Sequence, residues 1–335
     1  MFLNPTRPVW PAFSSSKTLC SDANSMEQLL LHCANAIESN DATLAQQIIW
    51  VLNNLASPDG DSTQRLASSF LRALISRAAT KSPALAFLSV ASASQKTLHR
   101  FSVIELASFV DLTPWHRFGF IAANAAILDA VEGSSSVHIV DLTLIVNCHM
   151  MLHYIPDETL TSSGHPSPRS VFLKELRDLN PTMVTLVEED ADFTSTNFIS
   201  RLRSLFNYMW IPYDTADTFL TRGSEQRRWY EADIGWKIDN VIAKEGVERV
   251  ERLERKSRWF ERMREAKFGG VGFGETAATE AKTMLEEHAA GWGMKRDVDD
   301  DDDVDRFVLT WKGHSVVFAS AWVPINGVDE SYIEA

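Results

Sequence analysis

Residues 137–141 read VHIVD, residues 316–322 read VVFASAW, and between them residues 246–267 read GVERVERLERKSRWFERMREAK. The first is a short, mostly β-branched run that closes on a carboxylate, and the second is an apolar run that closes on an indole. Both have the character of strands buried on two faces. The middle stretch sets Glu248 with Arg252 and Glu251 with Arg255 at i,i+4, over an apolar stripe of Val247, Val250, Leu253, Phe260 and Met263. That pattern predicts one long, charge-laced helix. Strands separated by helices define an α/β protein.

Outward from these stretches, MVTLV at residues 183–187 predicts a second strand, ending at Glu188, Glu189 and Asp190. Residues 306–311 and 315–322 flank Lys312, Gly313 and His314, a glycine-containing three-residue loop that predicts a C-terminal antiparallel hairpin. Helices are expected over residues 194–209 and 236–244. Gly269, Gly270, Gly272 and Gly274 follow the long predicted helix and read as its stop and a loop.

The N-terminal part predicts helices. Ser25 with Gln28 makes a capping-box pattern, followed by an apolar face of Leu29, Leu30, Cys33, Ala34 and Ile37. A new helix should begin near Asp41, with Leu44, Ile48, Leu52 and Leu55 inward. Leu30, Ile37, Leu44 and Val51 keep a heptad across both, but the break at Ser39, Asn40 and Asp41 falls inside it, so two helices packed on each other are expected and not one zipper. Residues 62–79 predict a further helix. Residues 118–131 (FGFIAANAAILDAV) are rich enough in small residues to pack closely on a sheet. The expected organisation is a flexible tail over 1–24, a helical cap and first core helix over 25–130, and an α/β core over 131–335.

Composition narrows the function. The 335 residues carry 32 basic and 45 acidic side chains, a net charge of −13, which argues against coating nucleic acid by charge alone. Seven of the acids lie in residues 297–305 (DVDDDDDVD), a solvated loop by its pattern; without them the balance is −6, which leaves room for a local basic groove. Three cysteines, Cys20, Cys33 and Cys148, lack disulfide or metal spacing and fit a reducing compartment. No apolar stretch approaches the ~18 residues of a membrane span.

The strand ending at Asp141 could open a nucleotide or S-adenosylmethionine site, since such sites lie beyond the carboxyl ends of parallel strands. That chemistry needs a glycine turn, and Leu142, Thr143, Leu144, Ile145 and Val146 stand there instead. Cys148, His149 and His153 are the tightest group of potential metal ligands. His149 and His153 could share a helical face, but nothing completes a tetrahedron, and core or surface histidines are the better reading. Glu188, Glu189 and Asp190 read as helix-capping acids. The residues predict no catalytic group, no cofactor and no metal.

Several stretches in order resemble the GRAS family of plant regulators, from about residue 25 to 324. They are leucine-rich N-terminal helices, LTPWHRFGFIAANAAILDA at 112–130, then Val137, His138, Ile139, Val140 and Asp141. NPTMVTLVEE at 180–189 with Pro181, Arg228 and Glu231, and NVIAKEGVERVER at 240–252 with Arg249, Val250, Glu251 and Arg252 follow. The last are GWGMK at 291–295 with Trp292 and Gly293, then Trp311, and Ser320, Ala321 and Trp322. NCHMMLHYIP at 147–156 points to a scarecrow-like subgroup. The resemblance implies a methyltransferase-like, Rossmann-type core in a non-enzymatic nuclear transcriptional regulator. It implies partners among other transcription factors or GRAS proteins, as homo- or heterodimer, with DNA contacted directly or through a partner. Arg255, Arg258 and Arg262 are the basic side chains expected to make such a contact. The alternatives are a degenerate methyltransferase-like small-molecule binder and a truncated dominant-negative form.

One departure matters. In the family, several strand–helix units and a second leucine-rich repeat stand between VHIVD and NCHMMLHY, whereas here only residues 142–146 do. At about 30 residues per unit, the chain reads as internally shortened after Leu142 by on the order of a hundred residues, with an incomplete core and exposed strand edges.

Overall fold

A computed structural model describes residues 23–81, 110, 113–131, 144–157, 166–298 and 304–325. The expected tail, the VHIVD strand and the centre of the aspartate run lie outside the described residues. Among those described, nine α-helices accompany one six-stranded mixed sheet.

Helices α1 (Ala23–Glu38), α2 (Ala42–Leu55) and α3 (Ser62–Lys81) form where apolar periodicity predicts them. The helix boundary at Asn40 is real: Asn40 takes a positive φ of 57°, and Asp41 caps α2 by accepting from Leu44 N at 3.0 Å. Val51 is exposed, so the heptad is broken and α1 and α2 pack as separate helices. Ser25 lies inside α1 and not at its cap, because the helix starts two residues earlier.

Helix α4 (Pro114–Val131) crosses the sheet at close range. A Cβ on Gly119 would stand 2.5 Å from His149 Cε1 and 2.6 Å from Val187 Cγ1, so only glycine admits this approach. Strand β1 (Ile145–His149) leads through a 3₁₀ turn (Leu152–Tyr154) and helix α5 (Pro168–Asp178) to strand β2 (Met183–Glu189), which lies parallel to it. Cys148 and His149 are therefore strand residues, and His153 belongs to the turn; the shared helical face expected of the histidines does not form.

Helices α6 (Phe198–Phe219) and α7 (Glu225–Ala243) start at side-chain caps, with Asn197 accepting from Ser200 N and Ser224 accepting from Arg227 N. Both are longer than their apolar runs predicted. Residues 246–267 do not make one helix. They form a 3₁₀ turn (Gly246–Glu248), an extended stretch, and helix α8 (Lys256–Glu265). Strand β3 (Phe268–Val271) follows, so Gly269 and Gly270 pair in the sheet where a loop was expected.

Helix α9 (Glu275–Glu286) and strands β4 (Trp292–Val298), β5 (Asp305–Trp311) and β6 (His314–Pro324) complete the chain. Sheet order is β1-β2-β6-β5-β4, with β3 beside the last residues of β6. The β5–β6 connection is a two-residue turn at Lys312 and Gly313, both at positive φ (48° and 83°), and His314 already pairs with Trp311. A mirror-image turn of this kind matches strand twist, hence the tightening from the three-residue loop expected. One apolar cluster joins α1–α3 and α6–α7 to one face of the sheet, and a smaller one fills the other face beneath α5 and α8.

Candidate functional site

Glu188 and Glu189 end β2, and the alternation of a strand sends them to opposite faces. Both are buried. Glu188 accepts from Leu152 N at 2.7 Å, at the head of the 3₁₀ turn, and from His153 Nδ1 at 2.8 Å. Glu189 accepts from the Tyr208 hydroxyl at 3.0 Å and is ion-paired with Lys237 of α7. Lys237 Nζ is also 3.5 Å from Glu251 Oε2, which is 3.8 Å from His153 Nε2. A continuous polar chain thus wraps the carboxyl end of β2.

Burial alone would raise Glu189, but Lys237 beside it holds its carboxyl below the usual range. Burial opposes the charge on Lys237, yet Glu189 and then Glu251 raise its pKa above that of an ordinary lysine. Asp190 caps α8 from outside, accepting from Lys256 N at 3.2 Å. The capping role expected of these acids holds for Asp190 and, at the 3₁₀ turn, for Glu188; Glu189 serves the ion pair instead. A cavity of about 200 Å³ opens over this chain, walled by Trp115, Met150, Tyr154, Met209 and Trp236.

The extended stretch 249–255 is held by a second, interior network. Asn240 Oδ1 accepts from Val250 N and Glu251 N, both at 2.9 Å. Arg249 donates to Phe193 O at 2.6 Å, and Arg252 to Asp157 Oδ1 at 2.9 Å and Gly246 O at 2.7 Å. Arg169 of α5 reaches Arg252 O at 2.6 Å and stands 3.1 Å from Glu254. Arg262 closes a bidentate pair on Glu254 at 2.8 and 2.9 Å. These guanidiniums have little exposure, so each needs the carboxylates and carbonyls gathered around it. That requirement explains why the i,i+4 pairs expected on a solvated helix do not form. Arg262 is internal; Arg255 and Arg258 are exposed, Arg258 with Glu261 at 2.8 Å.

Elsewhere, Pro181 is buried ahead of β2. Glu231 receives Arg65 and Arg227, both at 2.9 Å, while Arg228 points outward; Arg227, which the sequence did not single out, is the partner. Ser320, Ala321 and Trp322 lie in the middle of the sheet, with Trp322 Nε1 donating to Ser320 Oγ at 2.9 Å and its ring beside Phe260 and Arg306. Trp311 Nε1 donates to Asp214 at 2.7 Å. Trp292 packs half-buried against Trp311 and Trp115, and Gly293 sits 3.2 Å from Thr310 Oγ1 as a would-be Cβ. His149 stacks on Phe120 and contacts His116 at 3.2 Å; burial, then His116, lowers its pKa to about 4, so its ring is neutral near pH 7. Burial also pushes the Cys148 thiol up to about 12.

The GRAS domain family matches residues 26–144 and 142–323, and the chain belongs to that family. It is 52% identical over 417 aligned positions to Scarecrow-like protein 32 of Arabidopsis thaliana, covering 96% of this chain and 98% of that one. It is 27% identical over 94% of its length to Protein SHORT-ROOT of the same plant, covering 75% of that protein. The crystal structure of SCL7 in Oryza sativa shares the fold, with a TM-score of 0.68 at 18% identity over 89% of this chain and 99% of that one.

The two matched stretches of the family meet at residues 142–144. Only about 322 residues of this chain (96% of 335) fill the 417 positions aligned with Scarecrow-like protein 32, so about 95 positions have no counterpart here.

Proposed function

We propose that this chain is a non-enzymatic nuclear regulator of transcription that acts through protein–protein contacts. Membership of the GRAS family along residues 26–323 carries the reading. The polar chain at the end of β2 supports it, because Glu188, Glu189 and Lys237 are engaged with one another or with neighbouring groups. The β1–α5–β2 unit, two parallel strands joined through a helix, supports a methyltransferase-like core. Fusing the chain to a heterologous DNA-binding domain in plant cells should place it in the nucleus and change output from a reporter promoter. Exclusion from the nucleus with an unaltered reporter contradicts the proposal, as does calorimetry showing micromolar binding of S-adenosylmethionine.

Direct contact with DNA, where it occurs, falls to the exposed Arg255 and Arg258. A gel shift that survives charge reversal at both positions contradicts that assignment. The roughly 95 unmatched alignment positions favour a second reading, a shortened form that occupies partners without regulating. Coexpression with a full-length relative then lowers the relative's reporter activity; unchanged activity argues against it.

A further inference from the structure

His153 and Glu251 place two buried acceptors side by side under the cavity at the end of β2. Glu188 accepts from His153 Nδ1, and in the neutral ring that tautomer makes Nε2 a lone-pair acceptor. That nitrogen and Glu251 Oε2 stand 3.8 Å apart, and neither has a hydrogen-bond donor among the described residues. Both side chains line the cavity and are almost closed to solvent, at 3% and 2% exposure. Lys237 does not supply the donor: its ammonium is 3.5 Å from Glu251 Oε2 and is engaged with Glu189. A buried acceptor without a donor is destabilising, so two converging on one cavity favour an incoming group with more than one N–H.

The lining selects the charge of that group. Glu189, Glu251 and Asp233 set three carboxylates against the single ammonium of Lys237. Above this floor the walls are Trp115, Trp236, Tyr154, Met150 and Met209, aromatic and thioether surfaces that suit an apolar stem and a nearby cation.

We propose that this cavity binds a primary ammonium on an apolar stem, with the ammonium between His153 Nε2, Glu251 Oε2 and Asp233. A free alkylamine and a lysine side chain of a partner protein share this chemistry. The test is calorimetric titration of the full 335-residue chain with n-pentylamine, with Nα-acetyl-lysine methylamide, and with 1-pentanol as the neutral match. Pentylamine should bind and 1-pentanol should bind at least about tenfold more weakly, since hydrogen bonds to charged groups are worth that much. Equal binding of the capped lysine assigns the pocket to a partner's side chain; binding of pentylamine alone assigns it to a free amine. Asp233→Asn and Glu251→Gln should each weaken pentylamine about tenfold. Asp233 sits at the open rim, so its variant decides the matter even where Glu251→Gln disturbs the interior. The proposal is overturned by 1-pentanol binding as well as pentylamine, by undiminished binding to Asp233→Asn, or by no heat from pentylamine at millimolar concentration.

Discussion

Strands β6 and β1 are both apolar, yet the sheet treats them differently. Along β6 seven consecutive residues, from Val316 to Trp322, are buried, with β2 on one edge and β5 followed by β3 on the other. Along β1 only Cys148 is buried, and among the described residues β1 pairs with β2 alone. Strand composition therefore does not fix burial; apolar layers packed on both faces do. The poorly covered strand follows directly on residues 142–144, where the two family stretches meet. About 95 of the positions aligned with the Arabidopsis relative have no counterpart in this chain, and restoring them should cover β1.

The largest effects should come from the well-covered side. Trp322 has no exposure and is enclosed by Phe260 and Arg306, so Trp322→Ala should cost about 3–5 kcal/mol in denaturant unfolding. An unchanged midpoint would show that the sheet centre is not as closed as described. Arg252→Ala should cost about 3–5 kcal/mol as well, because it removes the guanidinium that pairs with buried Asp157 at 2.9 Å. Arg258→Ala, six residues away, should change stability by less than about 1 kcal/mol, since its pair with Glu261 is exposed.

The segment holding Arg252 shows where sequence legibility ends. Glutamate and arginine at i,i+4 look the same whether they meet along a solvated helix or reach partners far off in the chain. Asp157 and Arg169 are such partners for 249–254, and no local periodicity reports them. The same holds for the candidate site, since Glu189 and Lys237 are joined only by the packing of α7 against β2. By contrast α1–α3, β2, β5 and β6 were legible, because apolar spacing and turn chemistry are local signals. The tight passage of α4 was legible too, through the small residues around Gly119.

Acid should act on the Glu189–Lys237 pair with a defined sign. Glu189 has a lowered pKa when folded, so its contribution is present above the ordinary carboxylate value of 4.5 and is lost as pH falls through the lower, folded value. Lys237 is raised, so its contribution is complete below the ordinary 10.5 and is lost only as pH rises past its folded value. Unfolding free energy of Lys237→Met should consequently fall less between pH 5 and pH 2 than that of the parent, by a margin of about 1 kcal/mol or more per pKa unit of lost shift. Equal acid sensitivity would remove the pair from the account. The smallest effect belongs to the open edge: Val146→Ala on half-buried β1 should cost about 1 kcal/mol or less, at the low end for large-to-small changes.

Hydrogen exchange under native conditions tests the central claim most directly, because it reports each strand's own opening free energy. In the 335-residue chain, amides of β1 should exchange well before those of β6, and inserting the relative's central segment after Leu142 should slow β1 towards the rate of β2. Amides of β1 as protected as those of β6 in the short chain, with no change on insertion, would contradict it. The link after Leu142 would then be a self-sufficient connection within a smaller version of the fold.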